Sequence, residues 1–173
     1  MSDLNDYLLR SAEVISTMVE RDLTGEMERA VSTVVTALSQ GKALLICGNG
    51  GSASDAIHIA GELVGRFLKE RKAYNVIALP ANAAVLTAWG NDYGFDTVFS
   101  RQVEAHGSEG AVLLAISTSG NSPSILAAAM PAVGRRHMEY TRRVGETAVL
   151  GGLGVSLIGA ARFDAARRDR SLT

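Results

Sequence analysis

Apolar residues recur at three- and four-residue intervals through the first forty positions. Leu4, Leu8, Ile15, Met18, Val19, Leu23 and Met27, then Val31, Val34, Val35 and Leu38, keep the spacing of one helical face. The spacing predicts helix over 3–39, broken at Thr24-Gly25 and closed by Gln40-Gly41. The pattern then changes. Lys42–Cys47 (KALLIC) is a short, continuous apolar run, as in a strand buried on both faces of a parallel sheet. Asn75–Leu79 (NVIAL) and Ala111–Ser117 (AVLLAIS) read the same way. Between these strands, helices are predicted over Ala53–Phe67, Ala83–Trp89 and Asp96–Ala105, with one more from Pro123, a residue suited to a first helical position. Thr147–Leu150 and Val155–Ile158 are further candidate strands around a loose Gly151-Gly152-Leu153-Gly154 stretch.

Strands alternating with helices predict an α/β fold: a parallel sheet with right-handed crossovers. The 173 residues suit one domain. It divides into a helical part over 1–40, an α/β core over 41–129 and a tail over 130–173. Hydrophobic residues make up 47% and charged residues 20%, a balance that predicts a packed core rather than disorder. No apolar run reaches the roughly 18–20 residues of a membrane span. The acidic start, MSDLNDYLLRSAEV, lacks a secretory pattern, and the single cysteine, Cys47, suits a reducing compartment. The expected location is the cytoplasm. The net charge of −1 argues against a nucleic-acid partner.

Two loops carry the candidate chemistry. GNGGS at 48–52 and STSGNS at 117–122 each join a predicted buried strand to a predicted helix. In parallel sheets, ligands bind at the carboxyl ends of strands. Glycines let backbone N–H groups approach an anion, and a helix N-terminus adds positive potential. Ser117, Thr118, Ser119 and Ser122 put four hydroxyls within six residues, a set suited to a phosphate monoester. Neither loop is a Walker or dinucleotide fingerprint, so no redox cofactor is expected. Ordinary capping turns are the bland alternative for either loop taken singly.

His58 and Glu62 stand four apart on the helix after GNGGS, so they share a face. Such a pair can bind a divalent metal, move a proton, or simply form a surface contact. Asp92 in the Asn91-Asp92-Tyr93-Gly94 loop can meet a substrate hydroxyl or form an Asx turn. Arg66 can pair with an acidic neighbour or help hold a phosphate. Trp89 reads as a packing residue, Cys47 as inert core, and His106 as a dipole partner at a helix end.

Together these motifs resemble a known family. GNGGSASDAIHIAGELVGRF at 48–67, TAWGNDYGFDTVFSRQVEAHG at 87–107 and AISTSGNSPSILAAA at 115–129 are similar to the bacterial sedoheptulose 7-phosphate isomerases, or phosphoheptose isomerases, of the sugar isomerase (SIS) fold family. The resemblance covers about residues 5–129. It implies a flavodoxin-like α/β/α sandwich and a homotetramer. It also implies conversion of sedoheptulose 7-phosphate to D-glycero-D-manno-heptose 7-phosphate, a step toward lipopolysaccharide heptose. By motif match, Ser117, Thr118, Ser119 and Ser122 are expected to hold the phosphate. Asn49, Gly50, Gly51 and Ser52 are expected to hold the sugar chain. Asp92 is expected to contact hydroxyls, and Glu62 to transfer a proton. In zinc-containing members His58 and Glu62 supply two metal ligands. A second class of function in the same fold family is non-catalytic: sensing sugar phosphates, or binding a replication initiator.

The resemblance stops after Ala129. The family's final helix, with Gln-Glu-x-His and a later His, supplies further metal ligands and a catalytic histidine. Here no glutamine follows Gln102, and 130–173 hold one histidine, His137, in an unmatched setting. Residues 1–130 carry nine Lys/Arg against fourteen Asp/Glu, whereas 131–173 carry eight Arg, no Lys and four Asp/Glu. An Arg-rich, Lys-free tail rich in Gly and Ala is what a shifted reading frame in a GC-rich gene produces. A divergent but functional tail is the competing expectation. With one member of an acid–base pair missing, a loss of about 10²–10⁴ in rate is expected. The absence of the family's fourth and fifth strands would leave apolar sheet edge uncovered and solubility poor.

Overall fold

The structure, a computed structural model, describes residues 2–20, 22–129, 148–150 and 155–162. His137, most of the Arg-rich tail and the 151–154 stretch lie outside the described residues.

Two helices open the chain, α1 (Ser2–Glu20) and α2 (Thr24–Ser39). The break between them falls just before Thr24, which starts α2 rather than ending α1. Then follow β1 (Leu44–Cys47), α3 (Gly51–Val64), β2 (Val76–Ala78), α4 (Ala83–Tyr93), α5 (Val98–His106) and β3 (Val112–Ile116). Residues 123–129 form α6. β4 (Ala148–Leu150) and β5 (Val155–Arg162) complete the sheet.

The sheet order is β2-β1-β3-β5-β4. The expected parallel sheet is present in its first three strands: Leu44 pairs with Val76 on one side and with Val112 on the other, both in parallel. β5 joins β3 antiparallel, as does β4 with β5. The edge of β3 is therefore paired along its length, which corrects the expectation of an uncovered edge there. Gly159 has no partner where the register shifts beside Leu114 and Ala115, a bulge at a residue without a side chain.

Strand residues alternate between two faces, and both are buried, so KALLIC and AVLLAIS read as continuous apolar runs. Leu45, Cys47, Leu113 and Ala115 pack with Val98, Phe99 and Val103 of α5 and with Ile125 and Ala128 of α6. Leu44, Ile46, Val112 and Ile116 pack with Ala37 of α2 and with Ala56 and Ala60 of α3. The result is the expected three-layer sandwich. Each large side chain enclosed in this way contributes about 1.5–3 kcal/mol relative to exposure. Cys47 is fully buried, and burial pushes its thiol pKa up to about 12, so it is an unreactive core residue as expected.

Trp89 also packs as expected. It lies against the first core layer, stacks on Tyr93 with ring centroids 4.2 Å apart, and donates from Nε1 to Thr97 Oγ1 at 2.8 Å. Arg66 takes the acidic neighbour, with Nη1 3.4 Å from Glu70 Oε2. His106 ends α5 at the Gly107 cap.

Candidate active site at the sheet switch point

From β1 the chain crosses to β2 on one side, then returns to place β3 on the other side of β1. The carboxyl ends of β1 and β3 therefore flank a reversal of strand order, where such sheets leave a crevice for ligands. The register pairs Cys47 with Ala115, so both candidate loops leave the sheet at the same level.

The first loop is built on close approach. A Cβ on Gly48 would lie 2.6 Å from the carbonyl carbon of Ser52, so only glycine lets β1 turn directly into α3. Asn49 and Gly50 carbonyls accept from Ala53 N at 3.3 and 3.0 Å and start the helix. Gly50 and Gly51 are exposed, Asn49 is half-buried and Ser52 is buried beneath the turn.

In the second loop Ser117 is the centre. It is 3% exposed, and its Oγ accepts from Gly120 N at 3.1 Å. The same oxygen lies 3.5 Å from Ser119 Oγ and 3.4 Å from Ser122 Oγ. Ser119 Oγ accepts from Asn121 N at 3.2 Å. Gly120 takes φ +67°, a conformation open to glycine, and so folds the hydroxyls onto one another. Thr118 and Ser119 are exposed at the lip, and Ser122 is half-buried. Two serine hydroxyls thus lie within hydrogen-bonding range of the third, Ser117, a neutral cradle suited to phosphate oxygens.

Asn49 joins the first loop to the helix that follows the second: its Nδ2 donates to Ser124 Oγ at 3.0 Å. Ser124, in α6 and 2% exposed, was not anticipated from the sequence. The only local signal was one more hydroxyl two residues beyond STSGNS.

His58 and Glu62 lie on α3, which starts from the first loop. His58 Nε2 and Glu62 Oε1 are 4.0 Å apart, with side chains 77% and 41% exposed. A catalytic zinc takes three protein ligands. Among the described residues no group of three or more His, Cys, Asp and Glu gathers, so these two form a pair and not a complete metal centre.

Asp92 is not in a loop. α4 runs on to Tyr93, so Asp92 sits exposed in its last turn, and its Oδ1 accepts from Asn91 Nδ2 at 2.9 Å. Gly94, at φ +87°, ends that helix, and its position explains why the segment resembled a loop. The hydrogen bond given to Asp92 lies within its own helix, whereas Asn49 and Ser124 bridge two elements.

The SIS domain family profile matches residues 6–138. A phosphoheptose isomerase from Bradyrhizobium sp. (strain BTAi1) is 62% identical over 121 residues, covering 69% of this chain and 61% of the relative. One from Geobacter sp. (strain M21) is 53% identical over 117 residues, covering 68% and 61%. Among solved structures, a phosphoheptose isomerase from Francisella tularensis superposes with a TM-score of 0.69 at 37% identity, covering 73% of this chain and 66% of that one. The enzyme from Neisseria gonorrhoeae gives 0.66 at 38% identity, covering 73% and 65%. The match spans about three-fifths of the curated relatives' length. The profile match and these likenesses converge on one statement: the chain belongs to the SIS domain family, and its relatives there are phosphoheptose isomerases.

Proposed function

We propose that the chain is an aldose–ketose isomerase core that binds sedoheptulose 7-phosphate and converts it to the heptose 7-phosphate, the step that feeds heptose into lipopolysaccharide. The carrying observation is the serine cradle beside the GNGGS loop, where β1 and β3 end at the same level. Ser117, Thr118, Ser119 and Ser122 hold the phosphate. Asn49, Gly50, Gly51 and Ser52 receive the sugar chain, and Asp92 meets its hydroxyls. Glu62 is the proton-transfer group. Its carboxylate removes a proton from C1 of the ketose, and the electron pair forms the C1–C2 double bond of an enediolate. The carbonyl oxygen at C2 takes up the charge. The C1 hydroxyl passes its proton to the C2 oxygen, and Glu62 returns the abstracted proton to C2, which gives the aldehyde and a neutral C2 hydroxyl. Atoms and electrons balance without a redox partner. Glu62 is half-exposed in the last turn of α3, with His58 Nε2 4.0 Å from its Oε1.

The assembly is a homotetramer in the cytoplasm. The exposed apolar face of α1 supports association: Leu4, Leu8, Ile15 and Val19 fall on one side of the helix and are all exposed. A surface of that kind marks an interaction site. Among the described residues no helix is long and apolar enough to cross a membrane.

The test is turnover of sedoheptulose 7-phosphate by the purified chain, with and without zinc, beside calorimetric binding of the same sugar phosphate. Binding with measurable isomerisation is expected, at a rate reduced by the missing family histidine. A zinc-dependent increase would mean that His58 and Glu62 belong to a metal site completed by other groups. Absence of binding overturns the proposal.

A further inference from the structure

We propose that Arg71 is a positioning residue that holds Glu62 in place, an inference that rests on the reading of Glu62 as the proton-transfer group. Glu62 lies in the last turn of α3, two residues before its end at Val64. Carbonyls in a last turn have no N–H partner within the helix, and such turns fray. Gly61 O is taken by Gly65 N at 2.9 Å. The next two carbonyls are taken by one guanidinium: Arg71 Nη2 donates to Glu62 O at 3.0 Å, and Nη1 to Leu63 O at 2.9 Å. Nη1 also donates to Lys72 O at 3.2 Å.

The guanidinium is itself anchored. Arg71 Cζ sits 4.3 Å from the centre of the Tyr74 ring, and that ring packs on the α2–α3 side of the core. Tyr74 N approaches Leu63 O at 3.4 Å. The segment leaving α3 thus doubles back just before β2 and clamps the helix end from which it came. Arg29, Arg66 and Arg101 behave differently, each meeting an exposed carboxylate three or four residues away. Surface pairs of that kind carry little energy. Arg71 instead spends its planar fork on two successive carbonyls, a geometry that an ammonium cannot copy. Its charge at a helix C-terminus also favours the dipole.

The consequence is selective. Catalysis depends on holding reacting atoms in a near-attack geometry, and a displacement of about 1 Å can cost about 10²-fold. Arg71 fixes the backbone of Glu62. The phosphate cradle at 117–122 rests on β3 and α6 and does not depend on it.

The experiment compares wild type with Arg71→Ala. A fall in kcat of about tenfold or more is expected, with KM unchanged and part of the loss restored by millimolar guanidinium. Amide hydrogen exchange at Gly65 and Tyr74 should accelerate in the same variant. Arg71→Lys keeps the charge and stem; it is expected to show the same split more mildly, and it serves if the alanine variant does not fold. Unchanged kcat, or a loss shared by kcat and KM with no guanidinium rescue, overturns the role. If wild type binds but does not turn over, the isomerase reading fails on its own. Exchange then decides the clamp: protection retained in Arg71→Ala overturns it, and protection lost supports it.

Discussion

Asn49 and Ser124 are 75 positions apart in sequence and are joined by one hydrogen bond of 3.0 Å across the crevice between β1 and β3. Ser124 is buried, so its hydroxyl has no water to turn to if the amide leaves. The bond couples the 48–52 loop, proposed to receive the sugar chain, to the helix that follows the serine cradle. Ser124→Ala is expected to weaken sedoheptulose 7-phosphate binding by about 2–12-fold, the equivalent of one net hydrogen bond of about 0.5–1.5 kcal/mol. Calorimetric titration measures it, and an unchanged Kd would show that the two loops act independently.

Ser117 should matter more. Its oxygen is the common point of the cradle, contacting Gly120 N, Ser119 Oγ and Ser122 Oγ. Ser117→Ala removes the proposed phosphate partner and the anchor of the turn together. A loss of about tenfold or more in affinity for the sugar phosphate is expected, and the same variant should bind inorganic phosphate equally poorly. Retained phosphate affinity would place the anion elsewhere.

Glu62→Gln keeps the shape of the side chain and removes its basicity. With Glu62 as the proton-transfer group, kcat should fall by about 10²–10⁴ while KM stays close to wild type. Exchange of the C1 proton of the ketose with deuterated solvent, followed by NMR, should disappear with it. Persistent exchange in the variant would remove Glu62 from the chemistry.

Much of this fold could be read from the chain because both faces of its sheet are buried. LLIC and VLLAI are unbroken apolar runs, and each proved to be a strand with helices on both sides. Element ends were harder. The helix expected to reach Phe67 stops at Val64, where Gly65 caps it, and the helix expected to stop at Trp89 continues to Tyr93, where Gly94 caps it. Glycine marks an end in both, but its influence on the preceding turn depends on tertiary contacts. Strand direction was not legible, because an apolar run looks the same whichever way it is laid, and β5 lies antiparallel to β3. Of the site, the motif loops were visible as residue types. The Asn49–Ser124 bond and the Arg71 clamp were not, since each closes a loop whose path no local pattern specifies.

Gly48 offers a test of the fold beneath the site. Gly48→Ala would push a methyl group against the Ser52 backbone, where no side-chain movement can relieve it. A loss of about 1–3 kcal/mol is expected, read as a drop in Tm of about 2–4 °C per kcal/mol. An unaltered Tm would mean that β1 and α3 can separate without cost.

The exposed stripe of α1 can be tested without touching the crevice. Ile15→Glu places a charge among Leu8, Val19 and their neighbours on the exposed face. Light scattering after gel filtration should find the wild-type chain as a tetramer and the variant as a smaller species. Equal masses would show that α1 takes no part in association.

The burial of Cys47 gives the chain a clock of its own. The thiol sits at the last position of β1, immediately before Gly48, and its full burial, which also raises its pKa to about 12, shields it while the sheet is closed. Alkylation therefore counts openings of the strand that carries the first loop. A sugar phosphate that binds only the closed form must slow that count in proportion to its occupancy. Affinity can then be read from the rate at which one sulfur is labelled, in a variant that turns nothing over as readily as in one that does.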